Sequence, residues 1–193
     1  MMNKNVSVVY YILRLLLTPI FKFIYNPKIE GKNNIPKEGA VIIACNHKHL
    51  FDQCFAIISC KRGIHYMAKN EYFLSWKTRW FFKLVGCIPV DRKRKDPNSK
   101  RLALEVLNDG GVIGIFPEGT RNRTNKKLLD FKYGAVSLAK KSSCYIVPCG
   151  ISGDYKFRSK NLIAKFGKPF KVDDMSLEDT NKKLYNMIND LVE

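Results

Sequence analysis

Apolar side chains fill residues 6–25 (VSVVYYILRLLLTPIFKFIY) almost without a break; only Arg14, Pro19 and Lys22 interrupt them. A membrane span needs about 20 mostly apolar residues with few charges. The segment has the length but also the charges and the proline. It therefore reads as an interfacial helix in preference to a span, with Arg14, Lys22 and Lys28 at the level of phosphate headgroups. A helix docked on the chain's own core is the competing reading. No small-residue cleavage site follows, which argues against a secretory signal. Residues 26–39 (NPKIEGKNNIPKEG) are polar and rich in Pro, Gly and Asn. They punctuate the passage from an N-terminal helical segment, residues 1–28, to a domain over residues 29–193.

Within that domain short apolar runs alternate with helical periodicity. Residues 40–45 (AVIIAC), 64–68, 87–90, 111–116 (GVIGIF) and 144–151 read as strands, with one or two short strands in 162–172. Helices are predicted over 52–60, 98–108, 131–141 and 177–192, and short helices over 72–85. The pattern predicts a single α/β domain with a mixed, largely parallel sheet flanked by helices. Strand runs without polar alternation fit a sheet covered on both faces. In such sheets, ligand sites gather at the carboxyl ends of strands.

Composition changes the picture in one respect. Of 193 residues, 34 are Lys or Arg and 17 are Asp or Glu, a net charge of +17. An excess of that size points to a polyanionic partner: nucleic acid, anionic lipid or phosphorylated substrate. The six cysteines include no Cys-x-x-Cys pair. Zinc-ribbon and thioredoxin readings lose their support, and reduced thiols in a cytosolic compartment are expected.

Chemistry concentrates directly after three strands. The first block is residues 46–52, Asn-His-Lys-His-Leu-Phe-Asp. His47 and Asp52 are about 500° apart on a continuous helix and would not face each other. They meet if His47 sits on the strand-to-helix turn and Asp52 in the first helical turn. A carboxylate there fixes the tautomer of the imidazole and raises the basicity of its other nitrogen. The second block, residues 116–121, is Phe-Pro-Glu-Gly-Thr-Arg. Gly119 lets backbone approach a ligand, and Arg121 offers a fork of donors suited to phosphate. Glu118 is placed to orient that Arg or to bind a hydroxyl. The third block, residues 86–92, ends a strand in Arg92 and runs into Lys93, Arg94 and Lys95. The fourth is the proline-containing strand around Val147 and Pro148.

In order and spacing these blocks resemble the glycerolipid acyltransferases of the lysophosphatidic acid acyltransferase type. Asn46, His47 and Asp52 match that family's Asn-His-x-x-x-x-Asp, and residues 116–121 match its Phe-Pro-Glu-Gly-Thr-Arg without change. The block ending in Arg92 and the strand holding Pro148 match as well. So do the supporting stretches 67–71, 131–135 and 166–169, and the resemblance covers residues 29–172. His49 departs from it, since many members carry a small hydroxyl or amide residue there, and this bears on acceptor preference.

The resemblance implies transfer of a fatty acyl group from acyl-CoA or acyl carrier protein to the sn-2 hydroxyl of 1-acyl-sn-glycerol 3-phosphate, giving phosphatidic acid. His47 would be the general base, oriented by Asp52. Asn46, Arg92, Glu118, Gly119, Thr120 and Arg121 would bind substrate. No covalent acyl-enzyme is implied, which agrees with the absence of Gly-x-Ser-x-Gly. Expected partners are the lysophospholipid, the acyl donor and an anionic membrane surface on its cytoplasmic side, with no metal, no further cofactor and no nucleic acid. Another acceptor within the family is the nearest alternative. A zinc hydrolase built on His47, His49, Asp52 and Cys45 would leave residues 118–121 unexplained. A basic nucleic-acid-binding protein would leave the apolar N-terminus without a role.

Overall fold

Strand β2, Val41–Cys45, is apolar and buried at every position because both of its faces are covered. Ile42 and Ala44 point to one side, into a core formed with the helices α5 (Pro97–Asn108), α6 (Gly134–Ser142) and α7 (Leu177–Leu191). Val41, Ile43 and Cys45 point to the other, into a core closed by Phe55 and Ala56 of α2 (Asp52–Ser59) and Phe21 of α1 (Val8–Tyr25). The period of two along a strand thus feeds two cores from one uninterrupted apolar run. This computed structural model describes residues 6–91 and 96–192.

Among the described residues, seven strands form one sheet in the order β1-β7-β6-β2-β5-β3-β4. They are β1 (Lys28–Glu30), β2, β3 (Ile64–Lys69), β4 (Ile88–Val90), β5 (Val112–Ile115), β6 (Tyr145–Ser152) and β7 (Ile163–Phe166). The five strands β6, β2, β5, β3 and β4 run parallel. β7 is antiparallel to β6, and β1 pairs parallel with β7. The mixed, largely parallel sheet expected from the alternation is present. Two short helices, α3 (Glu71–Leu74) and α4 (Trp76–Leu84), join β3 to β4.

One expectation needs correction. Residues 26–39 are more than punctuation, because they contain β1, whose Ile29 pairs with Ala164 on β7. Three residues of mixed polarity at a sheet edge carry too short a pattern to be read as a strand. The pairing also fastens the end of α1 to the sheet.

Helix α1 is held along its length. Ser7 Oγ donates to the Leu84 carbonyl at 2.5 Å, and Arg14 donates to the Lys61 carbonyl at 3.1 Å. The hydroxyls of Tyr10 and Tyr11 accept the N–H groups of Ile64 and Gly63. Phe21 meets Phe55 edge to face, with ring centroids 5.6 Å apart. The opposite side of the helix exposes Val8, Ile12, Leu15, Leu16, Leu17, Ile20 and Phe23. By length and composition α1 could cross a membrane.

Candidate active site

Because β2 and β5 are adjacent and parallel, with Ala44 opposite Ile115, the two turns that follow them leave the sheet at the same end. The register thus places the two motif turns side by side. His47 lies on the turn after β2, and Asp52 opens α2. His47 Nδ1 is 2.8 Å from Asp52 Oδ2. A carboxylate only accepts, so Nδ1 carries the proton and Nε2 is left as the basic nitrogen. The imidazole reaches the surface with 14% of its side chain, whereas Asp52 is fully buried.

Four donors converge on Asp52. Oδ2 accepts the His47 ring and the backbone N–H groups of Lys48 and His49, each at 2.7 Å. Oδ1 accepts the Tyr155 hydroxyl at 2.5 Å. The sequence offered no signal for Tyr155, which lies more than 100 positions away, beyond the carboxyl end of β6. Burial and, next, the charge of Asp52 raise the Tyr155 pKa, so the phenol remains a donor. Tyr155 also stacks on His49 with centroids 4.0 Å apart, and meets Tyr25 at the end of α1 edge to face.

The second turn clamps the backbone of His47. Glu118 Oε1 accepts the His47 N–H at 2.6 Å, and the Asn122 N–H donates to the His47 carbonyl at 2.6 Å. The His47 ring stacks on Phe116 with centroids 3.9 Å apart and planes 14° off parallel. Phe116 in turn stacks on Tyr66 at 5.8 Å. That column needs a glycine beneath it, because a Cβ at Gly114 would come within 2.3 Å of the Tyr66 ring. The basic ring is therefore positioned through its side chain, its N–H, its C=O and its flat face.

Several expected substrate contacts have other work. Asn46 is buried, and both ends of its amide bond to the backbone of Ile151: Nδ2 donates at 2.9 Å and Oδ1 accepts at 2.7 Å. It ties β2 to β6. Glu118 is 3% exposed and gives its second oxygen to the Leu129 N–H at 2.9 Å. It neither orients Arg121 nor faces an open hydroxyl site. Burial raises its pKa against the pull of those two N–H donors. In both residues the polar side chain satisfies buried backbone groups that need partners.

Gly119, Thr120 and Arg121 stay available. Gly119 has φ +70°, and a Cβ there would meet the Lys132 side chain at about 3.0 Å. The Lys132 side chain thus lies across Gly119, and the backbone N–H of Lys132 donates to the Pro117 carbonyl at 2.9 Å. Among the described residues no hydrogen bond or ion pair holds the Arg121 guanidinium. Lys132 stood in the sequence only as part of the stretch 131–135, without an assigned role. Arg92 lies outside the described residues, as do 93–95. The strand before it, β4, is the sheet edge, one strand removed from β5.

His49 Nδ1 accepts the Phe51 N–H at 3.3 Å, and its ring stacks on Tyr155 where that of His47 stacks on Phe116. Among the described residues no three of His, Cys, Asp and Glu are placed to hold a metal ion.

Residues 26–152 match the acyltransferase family. The 1-acyl-sn-glycerol-3-phosphate acyltransferase of Bacillus subtilis is 31% identical over 83% of this chain and 81% of its own length. The enzyme of the same name from Borreliella burgdorferi is 32% identical over 72% of this chain and 56% of its own length. In fold, the chain is similar to the crystal structure of the 1-acyl-sn-glycerophosphate acyltransferase of Thermotoga maritima. The TM-score is 0.78 at 23% identity, over 94% of this chain and 77% of that one.

Proposed function

The chain belongs to the acyltransferase family, and we propose that it acylates the sn-2 hydroxyl of 1-acyl-sn-glycerol 3-phosphate to give phosphatidic acid. The donor is a fatty acyl thioester, either acyl-CoA or acyl carrier protein. The observation that carries this reading is the His47–Asp52 pair, held with Nε2 as its basic nitrogen next to the turn of Gly119, Thr120 and Arg121.

In this reading His47 Nε2 takes the proton from the acceptor hydroxyl as its oxygen attacks the thioester carbonyl. The tetrahedral adduct collapses, the carbon–sulfur bond breaks, and the thiolate leaves with the proton returned from His47. Asp52 stabilises the imidazolium in between. A positioned general base contributes about 10²–10⁴-fold, and alignment of two substrates can add as much. Burial raises the thiol pKa values of Cys45, Cys54 and Cys87, which weakens them as competing nucleophiles. Arg121, Thr120 and Lys132 supply the donors for the acceptor's phosphate, and Arg92 is assigned a second contact with it. The names of the relatives in Bacillus and Borreliella support the choice of acceptor.

Helix α1 lies in the interface of an anionic membrane on its cytoplasmic side, apolar face in lipid and opposite face on the protein. Attachment along the whole helix, from Ser7 to Phe21, favours lying over spanning. Its carboxyl end meets Tyr155, so lipid and the catalytic pair come together there.

The test is an assay of purified protein in detergent or vesicles with a long-chain acyl-CoA and 1-acyl-glycerol 3-phosphate, beside His47→Ala. Phosphatidic acid from the wild type, and at least about 10²-fold less from the variant, is expected. Full activity in the variant overturns the mechanism. No product from folded wild type, with acyl-CoA or with acyl carrier protein, overturns the acceptor assignment.

A further inference from the structure

Helices α3 and α4 bury no residue at all. They are tied to each other, with Tyr72 stacked on Phe82 at 4.7 Å and the Thr78 hydroxyl donating to the Tyr72 carbonyl at 2.7 Å. Outward, Leu74, Trp76 and Trp80 are exposed by 75%, 78% and 62%. A helix pair that covers no core and exposes two tryptophans needs a reason other than folding.

The polar residues of α4 identify the partner. Its sequence, WKTRWFFKL, holds three cations and no acid. Trp76 and Trp80 are four residues apart and share one stripe, with Arg79 and Lys83 along the same side. Tryptophan with flanking Arg and Lys suits the headgroup boundary of a bilayer, where rings sit at the interface and long cations reach the phosphates. The last turn of α4 is bonded to the start of α1, through Ser7 Oγ and the Leu84 carbonyl. The two helices are therefore joined at that point.

We infer that α3 and α4 form a second membrane contact, selective for anionic phospholipid, which together with α1 fixes the orientation of the catalytic domain on the bilayer. The inference rests on the membrane reading of α1. One helix in an interface can roll about its own axis, whereas a second contact beyond its end removes that freedom.

The chain itself supplies the probe, since Trp76 and Trp80 are its two tryptophans. Full-length protein is mixed with vesicles of phosphatidylcholine containing phosphatidylglycerol, and binding is followed by flotation. The expected result is a blue shift of tryptophan emission on binding, with quenching by lipids brominated high on the acyl chain. Flotation with unchanged emission and no quenching overturns this inference and leaves α1 as the anchor. No flotation overturns the membrane reading of α1 as well. Emission already blue without vesicles, and shifting red on dilution, assigns the face to a second copy of the chain and overturns the lipid contact. The variant Leu74→Ser/Trp76→Ser/Trp80→Ser is expected to bind phosphatidylglycerol vesicles at least about tenfold more weakly. Its turnover in detergent and its thermal midpoint should match the wild type; equal vesicle affinity overturns the inference.

Discussion

At the carboxyl ends of β2 and β5, polar side chains are buried and partnered; along α1 and α4, apolar side chains are exposed and uncovered. In the first region Asp52, Asn46 and Glu118 have both of their polar ends in hydrogen bonds. Among the described residues, the buried side-chain atoms without partners, Ser59 Oγ and Asn181 Oδ1, belong to neither turn. The difference teaches that two solvents act on this chain. The turns are organised by the protein interior, where an unpaired polar group costs about 1–3 kcal/mol. The helices are organised for a surface that water alone does not account for. Chemistry and access are thus held by separate residues, and each can be broken without the other.

The largest separation is expected from Glu118→Gln. The amide keeps one acceptor but turns N–H groups toward the backbone N–H of His47 or Leu129. Turnover should fall about 10–100-fold and stability by about 1–3 kcal/mol, with vesicle flotation unchanged. Wild-type turnover in the variant would show that the clamp on His47 is dispensable. The same variant carries a pH signature. Burial raises the folded Glu118 pKa above its unfolded value, so the folded chain holds that proton more tightly. The stabilisation is full below the ordinary carboxylate value of about 4.3 and is lost as pH rises through the raised one. Denaturation curves across that window should therefore slope more steeply in the wild type than in the variant.

The reverse separation is expected from Leu15→Ser/Leu16→Ser on the exposed side of α1. Affinity for anionic vesicles should fall about tenfold, a fraction of the value of burying two leucines. Turnover on detergent-dispersed substrates should be unchanged. Parallel loss of both would mean that α1 supports the site as well as the membrane contact.

Tyr155→Phe is the finest probe, because Tyr155 touches both regions. Removing its hydroxyl takes from Asp52 Oδ1 the donor that holds it, and so loosens the carboxylate that orients His47. Turnover should fall only about 3–10-fold, with stability lowered by about 0.5–1.5 kcal/mol. Lower stability with wild-type turnover would reduce Tyr155 to a packing residue.

The elements around β2, β5, α5 and α7 were legible because each carries enough residues to show its period. The two motif turns were legible because strand ends in a parallel sheet collect ligands. β1 was hidden because three residues carry no period and its partner lies 135 positions ahead. Tyr155 and Lys132 were hidden because their roles are contacts with other turns. The backbone contacts of Asn46 and Glu118 were hidden, since no pattern shows which way a polar side chain faces once backbone groups compete for it.

By itself, the sequence determined that a basic α/β chain with an apolar N-terminal helix carries His47 and Asp52 on one turn and Arg121 on another. Those follow from local periodicity and spacing, which neighbours along the chain impose. Only the tertiary structure decided that Glu118 grips the His47 backbone, that Tyr155 completes the shell of Asp52, and that α4 is left uncovered. Each depends on residues brought together by sheet register, and on which polar groups the closing of two cores left to be satisfied.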